Sequence, residues 1–143
     1  MYFVNHEQIQ QRLNYIPHIV QVSKRLVSEW DAETENPIFQ FAQERALHVS
    51  IETVTDIGSL LIDAFILRDA SSYEDIIDIL CGEDVFDDAT AVSLQELVKL
   101  RRPLVQEYVS FEGHSLHPLL KALPSLLPQF AAGVREFMRK ELS

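Results

Sequence analysis

Cysteine, glycine and basic residues are scarce in this sequence of 143 residues, and each shortage argues against a particular kind of fold, site or partner. Cys81 is the only cysteine, which excludes an intrachain disulfide and a zinc site built from cysteines. Four glycines and no sustained alternation of apolar and polar residues argue against a sheet. The formal net charge of −10 repels a polyanion, so any contact with nucleic acid needs a local basic patch.

Long apolar stretches are missing as well. No run of about eighteen apolar residues occurs, and the N-terminus, MYFVNHEQIQQRL, turns polar within five residues. We therefore expect a soluble, unprocessed cytoplasmic protein. The length, with 47% hydrophobic residues, suits one ordinary core, so a single domain over residues 1–143 is expected.

A first helix is predicted from residue 5 to about Trp30. Asn5 followed by Gln8 resembles a capping box that opens it. Pro17 is expected to kink this helix or to delay its start. The residues predicted to face inward are Ile9, Leu13, Ile16, Val20 and either Leu26 or Val27.

The strongest periodicity lies in the second predicted helix. Asn36 and Pro37 make a good N-cap and first-turn pair, and the helix is predicted to end near Leu67. Apolar residues then recur at steps of four and three, as in a long helix that crosses the molecule. They are Leu47, Ile51, Val54, Gly58, Leu61 and Phe65.

Two shorter helices follow. Ser71 with Glu74 is predicted to start the third, which Gly82 can close, and Asp87 or Asp88 starts the fourth. The apolar residues of the third predicted helix are Tyr73, Ile76, Ile77 and Leu80. The fold class predicted is all-α, an antiparallel up-and-down bundle of four or five helices.

Prolines divide the last third of the chain. Arg102 precedes Pro103, which disfavours helical geometry at Arg102, so the fourth helix should bend or restart there. Residues 113–118 are predicted to form a loop and cap before a final helix. Pro124 and Pro128 are expected to break or tilt that helix near its start.

The stretch LRRPLVQEY at 100–108 combines two arginines, a glutamine and a tyrosine around a proline. From the residues alone, Arg101 and Arg102 are helix-end cations that contact Glu107, Glu96 or a carbonyl. Tyr108 is then a core or interface aromatic.

A family resemblance changes that interpretation. RALHVSIETVTDIGSLLI (45–62) resembles the long second helix of HepT-like proteins in the HEPN superfamily. SYEDIIDIL and LQELVKLRRPLVQEY resemble that family's short helix and its Arg-Asn-x-Leu-Val-His-x-Tyr signature. The resemblance covers roughly 40 to 140. Position by position, Arg101 stands for the arginine, Arg102 for the asparagine, Gln106 for the histidine and Tyr108 for the tyrosine.

The resemblance implies an HEPN-like fold and a ribonuclease toxin that uses neither metal nor cofactor. Such relatives are usually homodimers whose two signatures face each other, and they pair with a nucleotidyltransferase antitoxin that in some cases adenylylates the tyrosine. RNA and this antitoxin are thus the implied partners. Arg101 and Arg102 become phosphate-binding residues and Tyr108 the modification candidate, with Glu52 and Asp56 bracing the arginines.

Gln106 departs from the signature where proton transfer would occur. Histidine can accept or donate a proton near neutral pH, whereas an amide cannot. Arg101, Gln106 and Tyr108 are thus predicted to form a weakened or inactive catalytic site. The proton-transfer role is left open between Tyr108 and a histidine such as His48.

The alternative function is a non-catalytic interaction module that dimerises and binds a nucleotidyltransferase partner or a nucleotide. The electrostatics of the signatures separate the two functions. Arginines converging in an open dimer cleft favour an anionic ligand, whereas neutralisation by Glu96, Glu107 or Asp56 favours a structural role.

Other candidate sites are weaker. His48, Glu52 and Asp56 recur every four residues, which would suit a metal site, although a solvated face or a polar dimer seam fits better. His114 and His117 form a spaced pair, but in a predicted surface loop. Cys81 lies among apolar residues at a helix end and is interpreted as a buried filler.

Overall fold

Helices make up all the regular secondary structure in the part of the chain that the computed structural model describes, residues 2–33 and 35–143. The all-α, antiparallel up-and-down bundle predicted from the sequence is confirmed. In chain order the elements are α1 (His6–Glu33), α2 (Pro37–Ala64), α3 (Tyr73–Gly82), α4 (Asp88–Lys99), α5 (Arg101–Val105), a 3₁₀ turn (Tyr108–Ser110) and α6 (Pro118–Leu142).

The second helix is the centre of the bundle, because it contacts each of the other five α-helices. All six residues of its predicted apolar repeat are buried, as expected. Gly58 is part of that repeat for a steric reason: a Cβ there would overlap Ile76 of α3, so the missing side chain lets α3 cross close to α2.

Side-chain caps fix the starts of three helices. Asn5 Oδ1 accepts the backbone N–H of Gln8 at 3.1 Å, and Asn36 Oδ1 accepts that of Ile38 at 2.9 Å. For α4 the cap is Asp87, not Asp88, because Asp87 Oδ1 accepts the N–H of Thr90 at 2.8 Å. Each cap satisfies a donor that the first helical turn leaves without a partner.

The start of α3 lies one residue later than predicted. Ser72, rather than Ser71, is the N-cap, and its Oγ accepts the N–H of Asp75 at 3.0 Å. The Asp75 carboxylate in turn accepts the backbone N–H of Ser71 at 2.9 Å and two hydrogen bonds from Arg68. The acidic residue that takes part in capping α3 is thus Asp75, not Glu74.

The end of α2 is also earlier than predicted, at Ala64. Ile66 has a φ of 55°, a left-handed conformation that stops the helix. The Leu67 N–H then folds back to the carbonyl of Ile62 at 3.0 Å, which satisfies an acceptor at the helix end. Leu67 is therefore part of the cap.

The helix-interior prolines do not interrupt their helices, so the predicted delay and breaks are wrong. α1 runs from His6 through Pro17, and α6 continues through Pro124 and Pro128. Each proline removes one backbone hydrogen bond. α1 and α6 pack along each other and bury apolar residues on both sides of these positions, and this packing holds the helices.

The predicted restart near Pro103 occurs, but two residues before Pro103. α4 ends at Lys99, Leu100 forms the junction, and α5 begins at Arg101. Arg102 is helical despite preceding a proline. Pro103 is the third residue of α5, where its missing N–H would have had no intrahelical partner.

Burial in α1 settles the choice that the sequence left open. Leu26 is buried whereas Val27 is on the surface. Ile9, Leu13 and Ile16 are buried as predicted, and Val20 is partly buried against the core. Among the residues described, no helix is both long and apolar enough to cross a membrane.

Candidate functional site

Arg101 is the signature residue that the fold holds most firmly. Its Nε donates to Glu52 Oε1 of α2 at 2.9 Å. Its guanidinium carbon lies 4.3 Å from the ring centroid of Tyr73, the first residue of α3. A cation over an aromatic face is attracted by the ring, and a charged hydrogen bond fixes its orientation. Three helices thus determine where this cation lies.

The local sequence explains how these side chains meet. Glu52 lies in α2 between the buried residues Ile51 and Thr53, so the central helix carries it at the edge of the core. The junction at Leu100 starts α5 close to α2, and Leu104 is the one buried residue of α5. These contacts bring Arg101 to Glu52 across 49 positions of sequence.

Most of the Arg101 guanidinium is still available. Within the described residues, only Nε has a hydrogen-bond partner, and Nη1 and Nη2 have none. The side chain is 27% exposed. Arg101 is therefore a fixed cation with free donors on its outer edge, a geometry that suits two oxygens of a phosphate or carboxylate.

His48 lies one helical turn before Glu52 and shares its carboxylate. His48 Nε2 is 3.5 Å from Oε1, the oxygen that accepts Arg101 Nε. The imidazole is half-buried and lines a shallow cavity of about 320 Å³ together with Phe41, Glu44, Arg45 and Leu104. The histidine thus borders the space where α5 meets α2.

Asp56, the second predicted brace, has a different partner. Its Oδ2 accepts a hydrogen bond from Arg12 Nε of α1 at 3.2 Å. The described residues show no ion pair between Asp56 and either Arg101 or Arg102. Of the two predicted braces, the structure therefore brings only Glu52 to the signature.

Arg102, Gln106 and Tyr108 lie on the surface. The Arg102 side chain is 76% exposed and its Nε is 3.6 Å from Glu107 Oε2. Tyr108, in the 3₁₀ turn, is 65% exposed, and Val109 beside it is 88% exposed. No hydrogen bond in the described part of the chain joins these side chains to Arg101, so they form an open surface beside the fixed cation.

Sequence reasoning missed the role of Tyr73. Its spacing marked it as one more apolar residue of the third helix, yet it is 41% exposed and lies against Arg101. The contact depends on where the fold places the start of α3 relative to α5, which no short-range pattern records. The only signal was the position of SYEDIIDIL, which occurs beside the signature in the family resemblance.

The histidine pair in the loop before α6 is accounted for by structural contacts. His117 caps α6, since its Nδ1 accepts the N–H of Leu119 at 3.0 Å, and burial lowers the pKa of His117. Buried Gln43 holds the loop by accepting the His117 N–H at 2.7 Å and donating to the carbonyl of Ser115. His114 Nδ1 lies 3.2 Å from Gln40 Nε2.

The described residues indicate neither a metal site nor a reactive thiol. Among the described residues, no group of three or more His, Cys, Asp and Glu side chains could hold a metal ion, so the predicted stripe of His48, Glu52 and Asp56 does not form one. Cys81 is only partly buried, and its Sγ lies 3.5 Å from Asp88 Oδ1. Burial and the neighbouring carboxylates raise the pKa of Cys81, which disfavours a reactive thiolate.

Comparison with known proteins matches the sequence to a family. The sequence model described as "Ribonuclease HepT-like" matches residues 13–131. A protein of Bacillus subtilis (strain 168) named "Putative RNase YutE" is 34% identical over 142 residues, which cover 99% of this chain and 95% of that protein.

Solved structures show the same fold. The structure of YutE from Bacillus subtilis, described as a cytosolic protein of unknown function, has a TM-score of 0.87 at 32% identity and covers 99% of this chain and 96% of that one.

Two toxin–antitoxin structures are also similar in fold. One contains a mutant of the MntA-HpeT pair and has a TM-score of 0.72 at 14% identity, covering 92% of this chain and 97% of that one. The other contains AMP-PNP and has a TM-score of 0.71 at 15% identity, covering 90% and 96%. The family match over residues 13–131 and the 34% identity to a relative over nearly the whole chain show that the chain belongs to the HepT-like ribonuclease family.

Proposed function

We propose that this protein is a metal-independent endoribonuclease of the toxin type, one HEPN-like domain that acts in the cytoplasm as a homodimer. Arg101 binds the scissile phosphate, Arg102 adds a second cation, and Gln106 leaves cleavage slow. The observation that carries this proposal is the Arg101 guanidinium, held at Nε by Glu52 with its outer donors free.

Phosphate recognition follows from that geometry. A cleaved phosphodiester gains negative charge in the transition state, and a preoriented guanidinium stabilises this charge without reorganising. Glu52 neutralises part of the charge on Arg101, but the remaining N–H groups point away from the shared hydrogen bond. A phosphate then replaces water at the exposed edge of Arg101, and Glu52 keeps its hydrogen bond.

The net charge of −10 requires that this basic site be local. Arg102 is one residue away and largely exposed, and its contact with Glu107 is long and solvated. Such a contact contributes little stability and yields readily to a phosphate. A homodimer that turns two such segments towards each other would place four arginines around one RNA strand.

The surface around Gln106 suits a subunit contact. Tyr108 and Val109 expose apolar area next to the cations, and burial of that area would favour association. We assign this patch, residues 102–110, to the dimer interface. Each subunit would then present its Arg101 edge to a shared cleft.

Tyr108 is the residue that a nucleotidyltransferase antitoxin would modify. Its phenol is exposed in the 3₁₀ turn of the single chain, so an enzyme can reach the oxygen in a subunit that is not paired through this patch. Adenylylation would join that oxygen to the α-phosphorus of ATP, with release of pyrophosphate and the phenolic proton. The added negative charge would lie beside the arginines and compete with RNA.

The test is cleavage of a mixed RNA pool by purified protein in EDTA. Wild type, Arg101→Ala and Gln106→His are compared, with Arg139→Ala as the control because Arg139 makes an exposed ion pair far along α6. We expect slow cleavage by wild type, none by Arg101→Ala and normal rates for the control. An Arg101→Ala protein that cleaves like wild type contradicts the proposal.

A second candidate is the non-catalytic interaction module. The observation in its favour is that both arginines already have carboxylate neighbours, Glu52 and Glu107. If wild type and Gln106→His are both inert while the protein still dimerises, this second function is the one supported.

A further inference from the structure

We propose that His48 supplies the proton transfer that Gln106 cannot, with Glu52 joining this histidine to Arg101. The inference rests on the proposed ribonuclease function and names a residue outside the signature. Its chemical consequence is that slow cleavage survives in wild type because the base has moved from the segment after α5 to α2.

The first step of the argument is distance. Arg101 Nε lies 2.9 Å and His48 Nε2 lies 3.5 Å from the same Glu52 oxygen, so the two nitrogens are at most 6.4 Å apart. These two nitrogens are the ones bound to Glu52, whereas His48 Nδ1 and the Nη atoms of Arg101 would contact RNA. The shared carboxylate therefore brings the two side chains to neighbouring positions, where one can face a 2′-hydroxyl and the other the adjoining phosphate.

The second step is the orientation of the imidazole. Nε2 faces the Glu52 carboxylate, which favours a proton on Nε2 and leaves the lone pair on Nδ1. Within the described residues Nδ1 has no hydrogen-bond partner. The carboxylate thus orients the ring so that Nδ1 is available as the base.

The third step is access. The His48 side chain is 31% exposed and lines the cavity of about 320 Å³ where α2 meets α5. The charged groups that face it are Glu44, Arg45 and Glu52 of α2, with Arg101 of α5 behind Glu52. Two carboxylates and two guanidiniums leave the local charge balanced.

The reaction balances without a metal. The 2′-hydroxyl loses its proton to His48 Nδ1, the 2′-oxygen bonds to phosphorus, and the bond between phosphorus and the 5′-oxygen breaks. The products are a 2′,3′-cyclic phosphate and a 5′-hydroxyl, whose proton comes from water. The hydroxide left by that water takes the proton from His48 Nδ1, which restores the neutral base. Arg101 stabilises the negative charge on the phosphate during this exchange.

The test compares wild type, His48→Gln, Gln106→His and the double variant, at pH values from 5 to 9 in EDTA. His6→Gln is the matched control, since His6 is exposed at the start of α1. Thermal unfolding checks that each variant is folded. We expect His48→Gln to lose about 10²–10⁴-fold in rate and to lose the imidazole limb of the pH profile.

Two further results are expected. His6→Gln should cleave like wild type, and adding Gln106→His should restore cleavage to His48→Gln, because a proton-transfer group returns to the cleft. A merely structural role for His48 would change neither the pH profile nor the response to Gln106→His.

Three outcomes overturn the inference, and they are distinguishable. If wild type needs Arg101 but folded His48→Gln retains its rate, His48 is not the base and the ribonuclease function stands. If wild type is inert and Gln106→His cleaves, the missing role never moved to His48. If every variant is inert, the ribonuclease function itself fails.

Discussion

Glu52 and Arg101 are 49 positions apart in sequence and joined by a hydrogen bond of 2.9 Å. The bond ties the central helix α2 to the shortest helix, α5, and it orients the only arginine of the signature that is partly buried. Removing the charge of Glu52 should therefore affect function more than stability.

Glu52→Gln should preserve the shape of this contact and weaken its electrostatic part. Both side chains are about one-third exposed, so we expect a loss of roughly 0–1 kcal/mol in the free energy of unfolding. RNA cleavage should fall at least about tenfold because the neutral amide holds Arg101 less firmly. Glu136→Gln, which alters an exposed pair in α6, is the control. Equal rates for the two variants would contradict the assignment.

Tyr73 should act through its ring rather than its hydroxyl. Tyr73→Phe retains the aromatic face against Arg101, whereas Tyr73→Leu removes it. A cation over a partly exposed ring contributes about 0.5–1 kcal/mol. Cleavage and thermal unfolding should thus be near wild type for Tyr73→Phe and lower for Tyr73→Leu. An equal loss in Tyr73→Phe and Tyr73→Leu would point to the hydroxyl instead.

Gly133→Ala should be among the most damaging small changes. A Cβ at Gly133 would overlap the backbone carbonyl of Val85, and a backbone atom has no rotamer by which to move aside. Overpacking of this kind costs about 1–3 kcal/mol. Gly82→Ala is the control, because nothing lies within 4 Å of its added Cβ. Chemical denaturation of the two variants measures the difference.

Acid should weaken the start of α3. Hydrogen bonds from Arg68, and then from the Ser71 backbone, hold the pKa of the Asp75 carboxyl well below its usual range. A depressed folded pKa stabilises the protein above the unfolded value of about 3.9 and loses this contribution as pH falls below it. Asp75→Asn should therefore show a flatter fall in melting temperature below about pH 4 than wild type. Parallel curves in that range would show that the ion pair does not contribute.

The proposed dimer interface is tested by Val109→Glu. Val109 is 88% exposed in the 3₁₀ turn, so a charge there should not disturb the fold of a subunit. Two such charges facing each other would repel, and light scattering after size exclusion should show a shift from dimer to monomer. Val92→Glu, at an exposed position on α4, should leave the mass unchanged. A Val109→Glu dimer would place the interface elsewhere.

Local signals predicted most of the helix starts and the core of α2. The Asn36–Pro37 cap and the apolar repeat of α2 are set by neighbouring residues, so they were visible in the sequence. The tolerated prolines were not, because the packing of α1 on α6 decides whether a helix survives the loss of one hydrogen bond.

The site was predictable only where the family resemblance supplied the pairing. It indicated Glu52 as a brace for the arginines, and Glu52 does lie against Arg101. It indicated Asp56 as well, yet Asp56 faces Arg12, because the position of α1 around α2 is a tertiary property. The Tyr73 ring was missed for the same reason.

The slight anchoring of α5 has an evolutionary consequence. This helix has a single buried side chain, Leu104, while Arg102 in α5 and Gln106 and Tyr108 after it extend into solvent. Substitutions at exposed positions usually change stability by no more than about 0.5 kcal/mol. Mutations can thus replace the reactive groups of the signature one at a time while the bundle stays intact, so the fold tolerates both the loss of an activity and the gain of a new one at this position.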